Sequence, residues 1–166
     1  MFYISYGSNI NPIQMAHLCN APVFIGTGIL HDYDMDFYAT TKDKNTANVY
    51  ADVVKTMGAK TPVAIWQIKD KGDISSIDAF EGYPTLYHKV DFCKVTLDSS
   101  QKEISGFLYQ MHENRGGIAI PTAQYFNTIL YGYQFFDMDL SYLINRKGLQ
   151  KILKNDLTNT QKCDII

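Results

Sequence analysis

Phe2-Tyr3-Ile4-Ser5-Tyr6-Gly7-Ser8-Asn9-Ile10-Asn11-Pro12 decides how this chain starts to fold. Aromatic and β-branched residues make Phe2 to Tyr6 a short buried strand. Gly7-Ser8-Asn9 stops it. Asn11 followed by Pro12 reads as an N-cap with proline at the first helical position. Ile13, Met15, Ala16 and Cys19 then form a rough apolar stripe, so a helix is expected from Pro12 to about Cys19. The chain therefore opens as strand, tight glycine loop, helix.

Outward from that start, strands are expected at Val23–Leu30, Met35–Thr40, Val49–Val54 and Pro62–Ile68, with Asp32-Tyr33-Asp34 and Gly58 as turns. Asp73 reads as the N-cap of a short helix carrying Ile74, Ile77 and Phe80, stopped after Glu81 by Gly82 and Pro84. A strand from His88 to Leu97 changes the phase of its alternation, which predicts a bulge. Ile104 to Met111 returns as a strand. Thr122 caps a helix whose stripe is Tyr125, Phe126, Ile129, Leu130 and Tyr133, and a last helix starts at Asp139. Short strands with turns and three or four helices make an α+β domain over residues 1–150, with antiparallel strands able to close into a barrel. Residues 151–166 read as a C-terminal tail, polar from Asn155.

The chain has 166 residues, a formal net charge of −2, 46% apolar and 19% charged residues. That fits one globular domain with a sizeable core. Thirteen Lys and only two Arg, Arg115 and Arg146, with no basic excess, argue against a nucleic-acid partner. The N-terminus has no basic region and no long apolar run, and no stretch approaches a spanning helix, so neither a signal peptide nor a membrane partner is expected. Cys19, Cys93 and Cys163 form no CxxC pair and read as free thiols of a cytoplasmic protein. His17, His31, His88 and His112 lack metal-ligand spacing, and neither GxGxxG nor a Walker motif is present. No metal or cofactor is expected. Scattered aromatics on the surface permit a homodimer.

Two segments carry chemistry. Glu81 ends a short apolar helix, at the negative end of its dipole, beside Phe80, Tyr83 and Tyr87. Both surroundings raise a carboxyl pKa, toward the range a general base needs near neutral pH. An exposed last-turn residue is the plain alternative. Tyr6-Gly7-Ser8-Asn9 offers glycine for close backbone approach and successive N–H groups before a helix, an arrangement that holds anions. An ordinary capped turn is the alternative there. Cys93 reads as a buried small hydrophobe, with His88 and His112 leaving a Cys/His hydrolase formally open.

Taken together, Tyr6-Gly7-Ser8-Asn9 after an N-terminal strand, Asp78-Ala79-Phe80-Glu81-Gly82 some seventy residues on, and Tyr87 shortly after resemble the gamma-glutamylcyclotransferase family, which includes AIG2-like proteins and gamma-glutamylamine cyclotransferases. The strand Pro62–Ile68 and the helix start Pro121-Thr122-Ala123-Gln124-Tyr125 extend the resemblance, which runs from Phe2 to about Gly148. It implies a small mixed β-barrel with flanking helices and a cavity. It implies Glu81 as the acid/base catalyst, Tyr6, Gly7, Ser8 and Asn9 as the substrate-binding loop, and Tyr87 and Tyr125 beside the pocket. The implied substrate is a gamma-glutamyl amide or dipeptide, cyclised to 5-oxoproline with release of an amine or amino acid and no covalent intermediate. The alternative function is a non-catalytic module binding a small metabolite in the same cavity. The sequence departs from the family where a Gly-x-Ala often stands, reading Tyr50-Ala51-Asp52-Val53, and in the loop Glu113–Ile120.

Overall fold

A computed structural model describes residues 1–43 and 47–151. Five strands close into a barrel: β1 (Phe2–Ser5), β2 (Val23–Ala39), β3 (Val49–Gln67), β4 (Tyr87–Leu97) and β5 (Glu103–Met111). Their order around the barrel is β1-β3-β2-β4-β5. All pairings are antiparallel except β1 with β5, where Tyr3 stands opposite Phe107 and shuts the barrel. The short, buried β1 thus lies between two partners. Ile4 and Ile65 from facing strands, with Leu30, Val95 and Leu108, are fully enclosed in the core. The mixed barrel with flanking helices agrees with the expectation drawn from the resemblance.

Helices decorate it, among them α1 (Pro12–Leu18), α2 (Lys71–Glu81), α3 (Ala123–Phe135) and α4 (Leu140–Ile144); a further helical stretch begins at Lys147, so the helix expected from Asp139 is not the last. Asn11 caps α1 through its side chain, accepting from Ile13 N and Gln14 N, with Pro12 inside the first turn. Thr122 caps α3 by accepting from Tyr125 N, and Asp139 caps α4. A 3-10 turn, Ser8–Ile10, links β1 to α1.

Three expectations are corrected. The four strands expected between Val23 and Ile68 are two long ones. Asp32-Tyr33-Asp34 and Gly58 are not turns between strands; they face each other in a single β2–β3 ladder. Register shifts there between His31 and Tyr33, Gly58 N–H donates to Asp32 Oδ1 (2.8 Å), and Met57 is 95% exposed on the resulting bulge. Pairing on both sides of the irregularity keeps each strand continuous, and the chain reverses between Ala39 and Val49 instead. The N-cap of α2 is Asp70, not Asp73. Asp73 is buried within the first turn, where its carboxylate accepts from Asn20 N (2.8 Å) and Ala21 N (3.3 Å) and ties α2 to the end of α1. The predicted bulge in β4 falls between Val90 and Cys93. The tail expected at 151–166 lies, apart from Lys151, outside the described residues.

Among the described residues no helix is long and apolar enough to cross a membrane, and no His/Cys/Asp/Glu group is arranged to hold a metal ion.

Candidate active site

β1 ends at Ser5, and the chain turns at Gly7 into the 3-10 turn over one end of the barrel. Ile10 N–H bonds Gly7 O and Asn11 N–H bonds Ser8 O, each at 3.0 Å. Among the described residues the N–H groups of Gly7, Ser8 and Asn9 make no such bond, as expected for the first donors of a helical turn. Trp66 Nε1 donates to Asn9 O (3.0 Å) and Ser5 Oγ (3.2 Å), which fastens the turn to β3. A Cβ on Gly7 would lie 3.2 Å from Ala51 Cβ and 3.4 Å from the Tyr125 hydroxyl, so glycine keeps the turn close to β3 and α3.

The second segment arrives on α2. Gly82 ends that helix in the left-handed conformation (φ 65°), its N–H bonding Ala79 O and Asp78 O. That cap swings Glu81 over the barrel end. Glu81 Oε1 accepts from Asn9 Nδ2 (2.8 Å) and Tyr3 OH (3.1 Å). Asn9 Nδ2 also donates to Tyr3 OH (3.0 Å), while Gln14 Nε2 donates to Asn9 Oδ1 (2.6 Å) and Ser8 Oγ (2.8 Å). Glu81 Oε2 makes no hydrogen bond to the described residues and is open to the cavity.

That cavity is lined by Tyr3, the turn Tyr6–Asn9, Ala51, Glu81 and the phenols of Tyr87, Tyr109 and Tyr125. Every residue named for the site from the sequence borders it. Tyr87 OH donates to Ala51 O (2.8 Å), and Tyr125 OH accepts from Ala51 N (3.1 Å), so the two peptide groups flanking one β3 residue hold the two rings. Tyr6 OH donates to Tyr109 O (2.5 Å) and Tyr109 OH to Asp78 Oδ1 (2.5 Å), with Lys89 Nζ 2.7 Å from the same carboxylate oxygen.

Burial pushes Glu81 up to about 7, opposed by its bonds from Tyr3 and Asn9. Burial likewise pushes all five phenols up, so each stays protonated at neutral pH. Glu81 is therefore the titratable side chain of this lining that changes charge near neutrality. Of the neighbours expected around it, Tyr87 is buried in the lining while Phe80 and Tyr83 are 48% and 42% exposed, and the groups bonded to the carboxylate are Tyr3 and Asn9.

Sequence reasoning missed Tyr3, Ala51, Gln14 and Tyr109. Tyr3 carried a signal: a phenol within a buried strand needs a polar partner. Ala51 carried none, because its part is played by its backbone N–H and C=O. Asp52, next to it, is fully buried, accepts from Met111 N (2.9 Å) and pairs with Arg115 Nε at 2.6 Å. Burial pushes Asp52 up to about 6 against those two partners. The pair fastens the 113–120 loop to β3, and Arg115 also lies over the Tyr38 ring at 4.1 Å. Cys93 lies outside this lining, buried, with Sγ toward Val90 O (3.5 Å) and its thiol pushed up by burial.

A family model described as gamma-glutamyl cyclotransferase, AIG2-like, matches residues 3–127. A solved structure called gamma-glutamyl cyclotransferase is 25% identical with a TM-score of 0.74, covering 86% of this chain and 83% of that one. A protein from Homo sapiens, titled uncharacterized, is 24% identical with a TM-score of 0.72, covering 85% of this chain and 82% of its own. A yeast gamma-glutamyl cyclotransferase specific to glutathione shares the fold at 11% identity and a TM-score of 0.63, covering 91% of this chain and 96% of its own. No curated protein matches the chain. With a single family model spanning three quarters of the sequence and the same barrel beneath it, the chain belongs to the gamma-glutamyl cyclotransferase, AIG2-like family.

Proposed function

We propose that the protein cyclises a gamma-glutamyl amide to 5-oxoproline, with Glu81 as general base and acid. The observation that carries this reading is the Glu81 carboxylate, held up to about 7 and facing the same cavity as the turn Tyr6–Asn9. The substrate's α-ammonium has no lone pair, so it must first lose a proton, and Glu81 takes it. The freed amine attacks the γ-carbonyl carbon, forming the ring C–N bond. Glu81 returns its proton to the departing nitrogen as the old C–N bond breaks, then removes the second proton from the ring nitrogen. That proton leaves with the released amine, which is protonated at neutral pH.

No protein nucleophile takes part. The N–H groups of Gly7, Ser8 and Asn9 hold the α-carboxylate or the oxyanion that develops on the carbonyl oxygen, where fixed donors act strongly because water is excluded. The phenols of Tyr87 and Tyr125, locked on Ala51, wall the glutamyl chain into its folded conformer. Well-oriented ring closures gain up to ~7–11 kcal/mol from such pre-organisation.

The test is 5-oxoproline release from a panel of gamma-glutamyl amides and dipeptides. Turnover is expected in the native protein and a loss of about 10²-fold or more in Glu81→Gln, the usual scale for general-base catalysis. Near-normal turnover in that variant would remove Glu81 from the mechanism. Substrate binding without any turnover would favour the binding-module reading.

A further inference from the structure

The Glu81 cavity opens into a second one of different character. The outer cavity shares Ser8, Glu81, Tyr87 and Tyr125 with the inner one. Its remaining wall is Tyr50, Phe80, Leu86, Gly82 and Gln14. The inner chamber is lined with phenols and the polar turn, groups suited to a zwitterionic glutamyl head. The outer one is walled by the Tyr50 and Phe80 rings and the Leu86 side chain. Tyr50 packs edge-on against Tyr125 at 5.0 Å between ring centroids, so this wall continues directly from the inner site.

What the outer chamber offers a charge decides what it accepts. Among its described lining residues there is no Lys, Arg or His, and Glu81 is the sole ionisable carboxyl. Gln14 has spent its amide donors on Ser8 Oγ and Asn9 Oδ1 and turns no free N–H toward the chamber. The Tyr50 hydroxyl is one neutral donor. A carboxylate brought here loses water, finds no cation and approaches the Glu81 carboxylate. An unpaired charge moved from water into apolar surroundings pays several kcal/mol. A distal ammonium is likewise desolvated, and Glu81 is already engaged with the reacting amine. An apolar body has none of these costs and gains contact area with two rings and Leu86.

We propose that the outer chamber is a leaving-group subsite selective for uncharged, apolar amines, with Tyr50, Phe80 and Leu86 as its specificity-determining side chains. The proposal rests on the cyclotransferase reading for its geometry. It excludes α-amino acids and polyamines as the preferred leaving groups.

Matched pairs test it. Gamma-glutamyl-phenethylamide and gamma-glutamyl-phenylalanine differ in the leaving group only by a carboxylate. Gamma-glutamyl-butylamide and gamma-glutamyl-putrescine differ only by a distal ammonium. Measured as kcat/KM for 5-oxoproline release, the phenethylamide is expected to exceed the phenylalanine dipeptide by at least about tenfold, and the butylamide to exceed the putrescine amide. Equal or better use of either charged partner would overturn the proposal. Phe80→Arg, on a half-exposed helical position, places a cation at the chamber wall and is expected to shrink the phenethylamide preference or reverse it. An unchanged ratio in a folded Phe80→Arg protein removes Phe80 from the specificity wall. The same pairs titrated calorimetrically against Glu81→Gln separate this claim from the catalytic one. A retained affinity ratio without turnover in any native sample sinks the cyclotransferase reading and keeps the subsite. Equal affinities within each pair sink the subsite, and binding of none of the four sinks both.

Discussion

Replacing Glu81 by Gln should make the protein more stable above neutral pH, although it disables the proposed base. The carboxyl is displaced from an ordinary 4.5 to about 7, burial being the largest cause and the bonds from Tyr3 and Asn9 opposing it. An acid whose folded-state value is raised favours the native state while protonated. Its contribution is complete below the unfolded value near 4.5 and is lost as pH rises through about 7. A displacement of this size corresponds to about 3 kcal/mol. On that scale about 2–3 kcal/mol is expected. Glutamine carries no charge to desolvate. Its amide oxygen can accept the bonds that Oε1 takes from Asn9 and Tyr3. Urea unfolding followed through Trp66, the chain's single tryptophan and itself buried, gives the comparison directly. Near pH 8.5 the variant is expected to be about 2–3 kcal/mol more stable, or roughly 5–10 °C higher in Tm. The gap should close as pH falls from about 7 to about 4.5. Equal or lower stability of Glu81→Gln near pH 8.5, or a gap that does not change with pH, would refute the claim that an ionised Glu81 is held at a cost.

Other outcomes follow from the same geometry. In the native protein kcat/KM for 5-oxoproline release should fall on the acid side of about 7, and Tyr3→Phe, which deletes a donor to Oε1, should move that limb to higher pH; an unmoved limb would disconnect Tyr3 from the base. Gly7→Val adds a branched side chain where Ala51 Cβ and the Tyr125 hydroxyl already lie 3.2 and 3.4 Å from a Cβ position, and should raise KM by about tenfold or more; unchanged affinity by calorimetry would make the turn a mere connector. Arg115→Ala strands the buried Asp52 carboxylate and should lower stability by about 3–5 kcal/mol near pH 8 in urea unfolding, less in acid as Asp52 protonates.

Local chemistry explains which parts were readable from sequence. Caps at Asn11 and Thr122, a helix start at Asp139, the Gly82 stop and the β4 bulge are each dictated by residues within a few positions, and each was legible. The β2–β3 ribbon was not. Asp32 and Gly58 carry ordinary turn signals, and only cross-strand pairing turns them into a bulge inside one ladder. Asp70 and Asp73 are equally good caps locally; the backbone of Asn20 and Ala21 claims Asp73 and leaves the cap to Asp70. At the cavity, Glu81 and the Tyr6–Asn9 turn were legible because both sit at element ends with distinctive chemistry. The environment of Glu81 was not, because Tyr3 and Asn9 lie more than seventy positions away in sequence.

The continuity of β3 is what makes the cavity rigid. Ala51 sits in a ladder with Phe37 of β2, so its flanking peptides cannot rotate without disturbing that pairing. Its carbonyl accepts from Tyr87 at the start of β4 and its N–H donates to Tyr125 in the first turn of α3, one bond from each of the two peptide groups that flank its Cα. Two rings from distant elements are thereby indexed to one residue fixed in the ladder, and Gly7 closes against the Ala51 side chain. A β-branched or aromatic residue at 51 would push the turn off the strand, while glycine would loosen that contact and leave the peptide bonds intact. The departure from the family pattern at Tyr50-Ala51-Asp52 thus serves three surfaces at once: Tyr50 faces the outer chamber, Ala51 sets the inner wall, and Asp52 anchors the 113–120 loop through Arg115. Ala51→Val should accordingly impair substrate binding through the turn while leaving the Glu81 acid limb where it is. A shifted limb would mean that the turn and the base are mechanically coupled through this strand rather than set independently.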